Sequence, residues 1–225
     1  MFICKKSLLI LVALIVFAGA SAGIFAGVAG ASAHAGERTI VIDAGHGGVD
    51  AGVRGKISGE KESDINLSIA KHLKGYLSGA GFNAVMTRTT QGGLYGTSTK
   101  GFKMRDMKKR KQVIEESSAD MVVSIHQNFC PLPSKRGSHV FFDKTSEAGK
   151  LLADSIQHSL NALNGADGNT SLAGDYYMLK CTQNPSVIVE CGFLSNSEDE
   201  RLLCTDEYRK NVAYAVFRGI VAYYS

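Results

Sequence analysis

The sequence predicts a single α/β domain: a mostly parallel central sheet flanked by helices, behind an N-terminal hydrophobic segment. Three observations carry that prediction. Runs of β-formers, "TIVID", "DMVVSI" and "SVIVE", alternate with longer stretches whose apolar residues recur at helical spacing. Each run delivers a histidine or a carboxylate at or just beyond its end, instead of an ordinary turn. The 225 residues, less a leader, leave roughly 190, enough to enclose a sheet between helical layers.

The leader is residues 1–35. Lys5 and Lys6 precede an apolar run over 8–18, and small residues follow, with A-x-A cleavage sites at 31–33 and 33–35. An uncleaved anchor is the alternative, because uncharged residues continue over 7–33, long enough to span a bilayer. Gly19, Gly23 and Gly27 have the spacing of a helix-pairing face. Both readings place residues 36–225 outside the cytoplasm, with membrane contact only through the leader.

Net charge is +4, and without Lys5 and Lys6 the domain carries 23 basic against 21 acidic residues, or +2. That balance argues against nucleic acid as a partner. One basic run, "KMRDMKKRK" over 103–111, reads as a solvated helix face. Cys4 lies in the leader, and Cys130, Cys181, Cys191 and Cys204 lack the spacing of a structural zinc site. Export permits disulfides without fixing their pairing.

In chain order, residues 39–43 form the first strand, followed by a glycine-rich loop with neither a dinucleotide-binding nor a phosphate-loop pattern. Asp64 is placed as an N-cap before the stripe Ile65, Leu67, Ile69, Ala70, Leu73 and Leu77, and Gly79 and Gly81 end that helix. A strand over 82–87, a polar loop over 91–101, a basic helix over 104–117 and a strand over 121–125 follow. "SHVFF" is a strand, 147–163 a helix, 164–175 a loop, "SVIVE" a strand, "SNSEDE" a polar turn, and 206–224 a closing helix. In such a sheet the ligand site lies beyond the carboxyl ends of the strands.

His46, His126 and Glu190 sit at those ends. A catalytic zinc takes three His or carboxylate ligands and keeps a fourth position open. The third ligand is expected from Glu60 or Glu62, which the residues alone do not separate. Asp43 and Asp50 flank His46 and could orient its ring. His72 and His158 fall inside helices and read as surface or packing residues, and His139 opens a strand. A buried Glu190 needs a partner. The bland alternative to a metal site is a salt bridge from Glu190 to Arg88 or Arg110.

"VIDAGHGG", "ESDINLSIAKHL", "ADMVVSIHQN" and "PSVIVECGFLSNSEDERLL" together resemble the zinc-dependent N-acetylmuramoyl-L-alanine amidases of the Amidase_3 family. The resemblance spans 39–224 and is nearest to single-domain sporulation and germination amidases of spore cortex. It implies Zn²⁺ held by His46, Glu62 and His126, with Glu190 as the catalytic residue. It selects Glu62 because the family's ligand glutamate stands five residues before the leucine of "NL". Departures are Ser63, where the family carries lysine, and Ile114-Glu115, where it carries Ala-Asn. The implied substrate is the amide joining the muramic acid lactyl group to L-alanine in peptidoglycan, and some relatives need an activating protein partner. The competing readings are a zinc metallopeptidase or carboxypeptidase on the stem peptide, and a non-catalytic wall-binding module. A cysteine hydrolase using Cys191 is disfavoured because strand alternation turns Cys191 away from Glu190.

Overall fold

The computed structural model describes residues 38–165 and 168–225. The leader expected over 1–35 lies outside the described residues. The elements are β1 (Thr39–Ala44), α1 (Glu62–Gly79), β2 (Asn83–Met86), α2 (Phe102–Glu116), β3 (Met121–Asn128), β4 (His139–Phe142), α3 (Glu147–Asn164), β5 (Leu172–Ala173), a 3₁₀ turn (Tyr177–Lys180), β6 (Ser186–Phe193), α4 (Ser197–Leu203) and α5 (Asp206–Tyr223).

The sheet runs β2-β1-β3-β6-β4-β5. β2, β1, β3 and β6 are parallel, as the alternation of strands and helices predicts. β4 is antiparallel to β6, so the sheet is mixed, and β5 pairs parallel with β4. That reversal follows from the short connection after β3. Only the segment between Asn128 and His139 joins the two strands, with no crossover helix, and β4 lies beside β6, not β3.

Strand alternation assigns the two faces. Ile40, Ile42, Val123, Ile125, Val187, Val189 and Cys191 join the larger core, with α1, α3 and α5 packed over them. Val41, Val122 and Ile188 point to the other face, where Ile114 of α2 and Met178 and Leu179 of the 3₁₀ turn cover them. Asp43, Ser124, His126 and Glu190 have the same parity as Val41, Val122 and Ile188. The sequence therefore sends all four polar side chains to the α2 face, and Cys191 to the opposite one.

Several expectations need correction. Asp64 is not the N-cap of α1: the helix begins at Glu62 after an extended Lys61 that offers no side-chain cap. The preceding loop caps it instead, since Glu62 N donates to Val53 O and Ser63 N to Ala51 O. Asp64 remains in the first turn, where a carboxylate complements the helix dipole. The "SNSEDE" turn is the start of α4, with Asn196 Oδ1 accepting from Glu198 N and Asp199 N. His126 is not past its strand but within β3, and β6 continues beyond Glu190 to Phe193. The basic run over 103–111 is not simply a solvated face, because Asp106 and Arg110 are buried.

Candidate metal centre

His46 follows β1 on the glycine-rich loop, Glu62 opens α1, and His126 projects from β3. The structure brings one ligand atom from each to within 4.8 Å of the others. Glu62 Oε1 is the meeting point, 2.9 Å from His126 Nδ1 and 3.3 Å from His46 Nε2. Glu62 is fixed from behind: Oε1 also accepts from Gln127 N at 3.1 Å and Asn66 Nδ2 at 3.3 Å, and Oε2 accepts from Val53 N at 2.9 Å. Glu60, the other candidate, pairs with Arg209 away from this cluster.

Two glycines make the convergence sterically feasible. A Cβ on Gly45 would lie 2.2 Å from His126 Nε2, and one on Gly52, whose φ is +66°, would lie 2.3 Å from Glu62 Oε2. His46 itself has φ 62°, left-handed backbone that a non-glycine residue rarely adopts. Its carbonyl is held by Arg110 Nη2 at 2.6 Å, and Gly47 N closes the loop onto Asp50 O at 2.8 Å.

Arg110 belongs to a buried network that the sequence reading missed. Its Nη1 donates to Asp43 Oδ1 at 2.6 Å and Ala44 O at 2.7 Å, and its Nε to Asp106 Oδ2 at 2.6 Å. Asp43 also accepts from Thr87 Oγ1 and Ser124 Oγ, so it never reaches the His46 ring. Arg88 donates to Ala44 O, Gly45 O, Ser63 O and Thr90 O. Neither arginine is the salt-bridge partner of Glu190. One clue was present in the sequence: Asp106, Arg110 and Ile114 stand four apart, on one helical stripe that proves to be the buried one.

Glu190 is placed beside the cluster, in register with His126 across β3 and β6, and its Oε2 is buried without a partner. Burial raises its pKa above the ordinary carboxylate range, against the pull of His126. Asp50 Oδ2 is 3.0 Å from His46 Nδ1, in contact but not aligned as a hydrogen bond. Burial works to lower the pKa of His46, but Asp50 and Glu62 outweigh it and raise the value to about 9. Burial likewise opposes ionisation of Glu62, yet the two imidazoles hold its carboxyl far below the usual range.

The remaining histidines among the described residues stay outside the cluster. His139 faces Glu190 in register on β4, with its ring edge against Phe193. His72 pairs with Asp206, and His158 lies within α3. The four cysteines among the described residues are free, and burial raises the thiol pKa of Cys191 strongly. A Cys191 thiolate nucleophile is therefore disfavoured on both position and ionisation.

A pocket of about 340 Å³ opens over the cluster. His46, His126 and Glu190 line it with Lys103 and Met107 from α2, and with Tyr176, Tyr177 and Met178 at the 3₁₀ turn. It combines apolar walls with a few convergent polar groups, the usual make-up of a small-molecule site.

The Amidase_3 profile, described as N-acetylmuramoyl-L-alanine amidase, matches residues 40–222. The germination-specific N-acetylmuramoyl-L-alanine amidase of Bacillus subtilis (strain 168) is 32% identical over 194 residues, covering 84% of this chain and 80% of that protein. Among solved structures, the CwlD amidase from Clostridioides difficile, in complex with the GerS lipoprotein, superposes with a TM-score of 0.79 at 34% identity, covering 83% of this chain and 98% of that one. The catalytic domain of CwlV, an N-acetylmuramoyl-L-alanine amidase from Bacillus (Paenibacillus) polymyxa var. colistinus, superposes at 0.72 with 27% identity, over 83% and 98% of the two chains. Fold, cluster and family match agree, and this chain is an enzyme belonging to the N-acetylmuramoyl-L-alanine amidase family Amidase_3.

Proposed function

We propose that His46, Glu62 and His126 hold a zinc ion and that Glu190 is the catalytic carboxylate, cleaving the amide between the muramic acid lactyl group and L-alanine. The observation that carries this reading is a three-donor cluster whose two histidines line a pocket with Glu190, a carboxylate whose Oε2 is buried without a partner. Nitrogen and oxygen donors from three side chains suit a catalytic zinc. On a tetrahedral zinc with bonds near 2.0–2.1 Å, donors sit roughly 3.3 Å apart. The contacts of Glu62 Oε1 at 2.9 and 3.3 Å are of that size. When bound, zinc supplies a Lewis acid that acidifies water and polarises the scissile carbonyl.

The chain's own residues do the rest. Asp50 sets its charge against His46 Nδ1, and Nε2 faces Glu62. Asn66 and the Gln127 amide hold Glu62 in place. Glu190 accepts the proton of the attacking water, and its raised pKa brings it closer to neutrality, where a general base is effective. Water oxygen bonds to the lactyl carbonyl carbon, the carbon–nitrogen bond breaks, and Glu190 returns the proton to the departing alanine nitrogen.

The domain is residues 36–225, behind a leader over 1–35 that carries it out of the cytoplasm as a cleaved signal or a retained anchor. Similarity to a germination-specific enzyme, and to an amidase solved with a lipoprotein, supports spore cortex as the wall acted on and an activating protein partner.

The test is mass spectrometry of peptidoglycan digested with metal-free and zinc-loaded protein. Free stem peptides with an L-alanine amino terminus, released only with zinc, are expected. Shortened peptides still attached to glycan would overturn the reading in favour of a stem-peptide peptidase.

A further inference from the structure

We infer that Lys103 is a specificity-determining residue that binds a carboxylate on the peptide side of the scissile amide. The inference rests on the proposed amidase reaction and names which part of the substrate lies against α2.

The pocket contains two long cationic side chains, Lys103 and Arg110. Arg110 is 1% exposed, and its guanidinium is committed to Asp43, Asp106 and the carbonyls of Ala44 and His46. Four of its five N–H groups are spent there, so it offers a ligand at most one Nη2 hydrogen. Lys103 differs in every respect: it is exposed on the first turn of α2, at the mouth of the same pocket. Among the described residues the lysine ion pairs belong to Lys111, Lys150, Lys180 and Lys210, leaving Lys103 free.

The rest of the lining includes the uncharged Tyr176, Tyr177 and Met178. Away from the metal centre and the largely committed Arg110, a negative group on the substrate therefore finds its cation at Lys103. The peptidoglycan stem supplies such a group. The residue after L-alanine is D-glutamate, linked through its side-chain carboxyl, so its α-carboxylate stays free unless amidated. Two extended residues span about 7 Å, and a sphere of 340 Å³ is roughly 9 Å across. A carboxylate one residue past the scissile amide thus falls within reach of a lysine at the pocket's edge. The peptide then runs toward α2, and the sugar lies toward the tyrosines. A free lysine opposite a free carboxylate gives a modest preference, because the pair stays partly solvated.

The experiment measures binding by calorimetry of N-acetylmuramyl-L-alanyl-D-glutamate and its α-amide, the D-isoglutamine form. The protein is the zinc-loaded full chain carrying Glu190→Gln, so that neither ligand is consumed. The acid should bind about 5-fold more tightly than the amide. Lys103→Met should bring the two affinities together by weakening the acid, and Lys103→Arg should restore the preference. A merely structural role for Lys103 would weaken both ligands equally. Equal affinities in the parent, no binding of the acid, or a preference that survives Lys103→Met would each overturn the inference. The amidase reading fails by a different result: zinc-loaded wild-type protein that releases no alanine amino termini from peptidoglycan.

Discussion

Two polar groups of residues, one buried and one lining the pocket, hang from the same strands of this sheet, a few residues apart, and they are finished differently. In the first, Asp43, Arg110, Asp106, Thr87 and Ser124 satisfy one another, and Arg110 spends two further donors on backbone carbonyls. In the second, His46, Glu62, His126 and Glu190 crowd together but leave Glu190 Oε2 without any partner. The first network forms the frame. It clamps the carbonyls of Ala44 and His46 and so holds His46 in a backbone conformation it would not choose alone. The second is left incomplete where chemistry is needed, and burial keeps that incompleteness costly.

This contrast can be broken most forcefully at Arg110. Arg110→Met leaves Asp43 and Asp106 buried without their cation, and should cost about 3–5 kcal/mol in urea unfolding. A loss below about 1 kcal/mol would mean the network is not the frame.

Acid titration gives the next largest effect. Burial alone would raise the pKa of Asp43, but Arg110, Ser124 and Thr87 overcome it and hold the value at about 2, against 3.8 for the unreacted side chain. A depressed carboxylate contributes stability that is present above its unfolded value and disappears as pH falls through the folded one. Metal-free protein should therefore lose about 2 kcal/mol between pH 4 and pH 2 through this group. Asp43→Asn should flatten that part of the stability curve.

The smallest of these effects sharpens the comparison from the other side. Asp50→Asn removes the charge behind His46 Nδ1 and should weaken zinc binding about 10-fold, with little change in unfolding free energy. A fall in stability without a fall in zinc affinity would assign Asp50 to the frame.

How far the sequence exposes each group follows from their chemistry. His126 and Glu190 are legible because each interrupts an apolar strand pattern, where a polar residue needs a reason to be present, and alternation puts both on one face with Asp43. His46 is legible as the one imidazole on the glycine-rich loop that follows β1. Glu62 is separated from Glu60 by family resemblance, and the structure supplies the physical reason: Glu62 points inward from the first helical position, and Glu60 pairs with Arg209. Arg110 stays hidden because it sits among lysines and arginines of a helix, where charge reads as solvation. Only burial of its stripe, which depends on tertiary packing, distinguishes it. The reversal of β4 leaves its only trace in the short, helix-free link from β3, since a short strand carries no mark of its own direction. The true start of α1 is hidden too, because its first N–H groups are capped by the backbone of a distant loop turn, at Ala51 and Val53.

The measurement that bears most directly on the division between frame and chemistry is Glu190→Gln, followed by turnover, zinc affinity and thermal unfolding together. Removing the charge of an unpartnered buried carboxylate relieves a desolvation cost while removing the proton acceptor. Turnover on peptidoglycan should fall by at least about 10²-fold, zinc should still bind, and the unfolding temperature should hold or rise. Wild-type turnover together with a lowered unfolding temperature would contradict the account, because Glu190 would then belong to the frame.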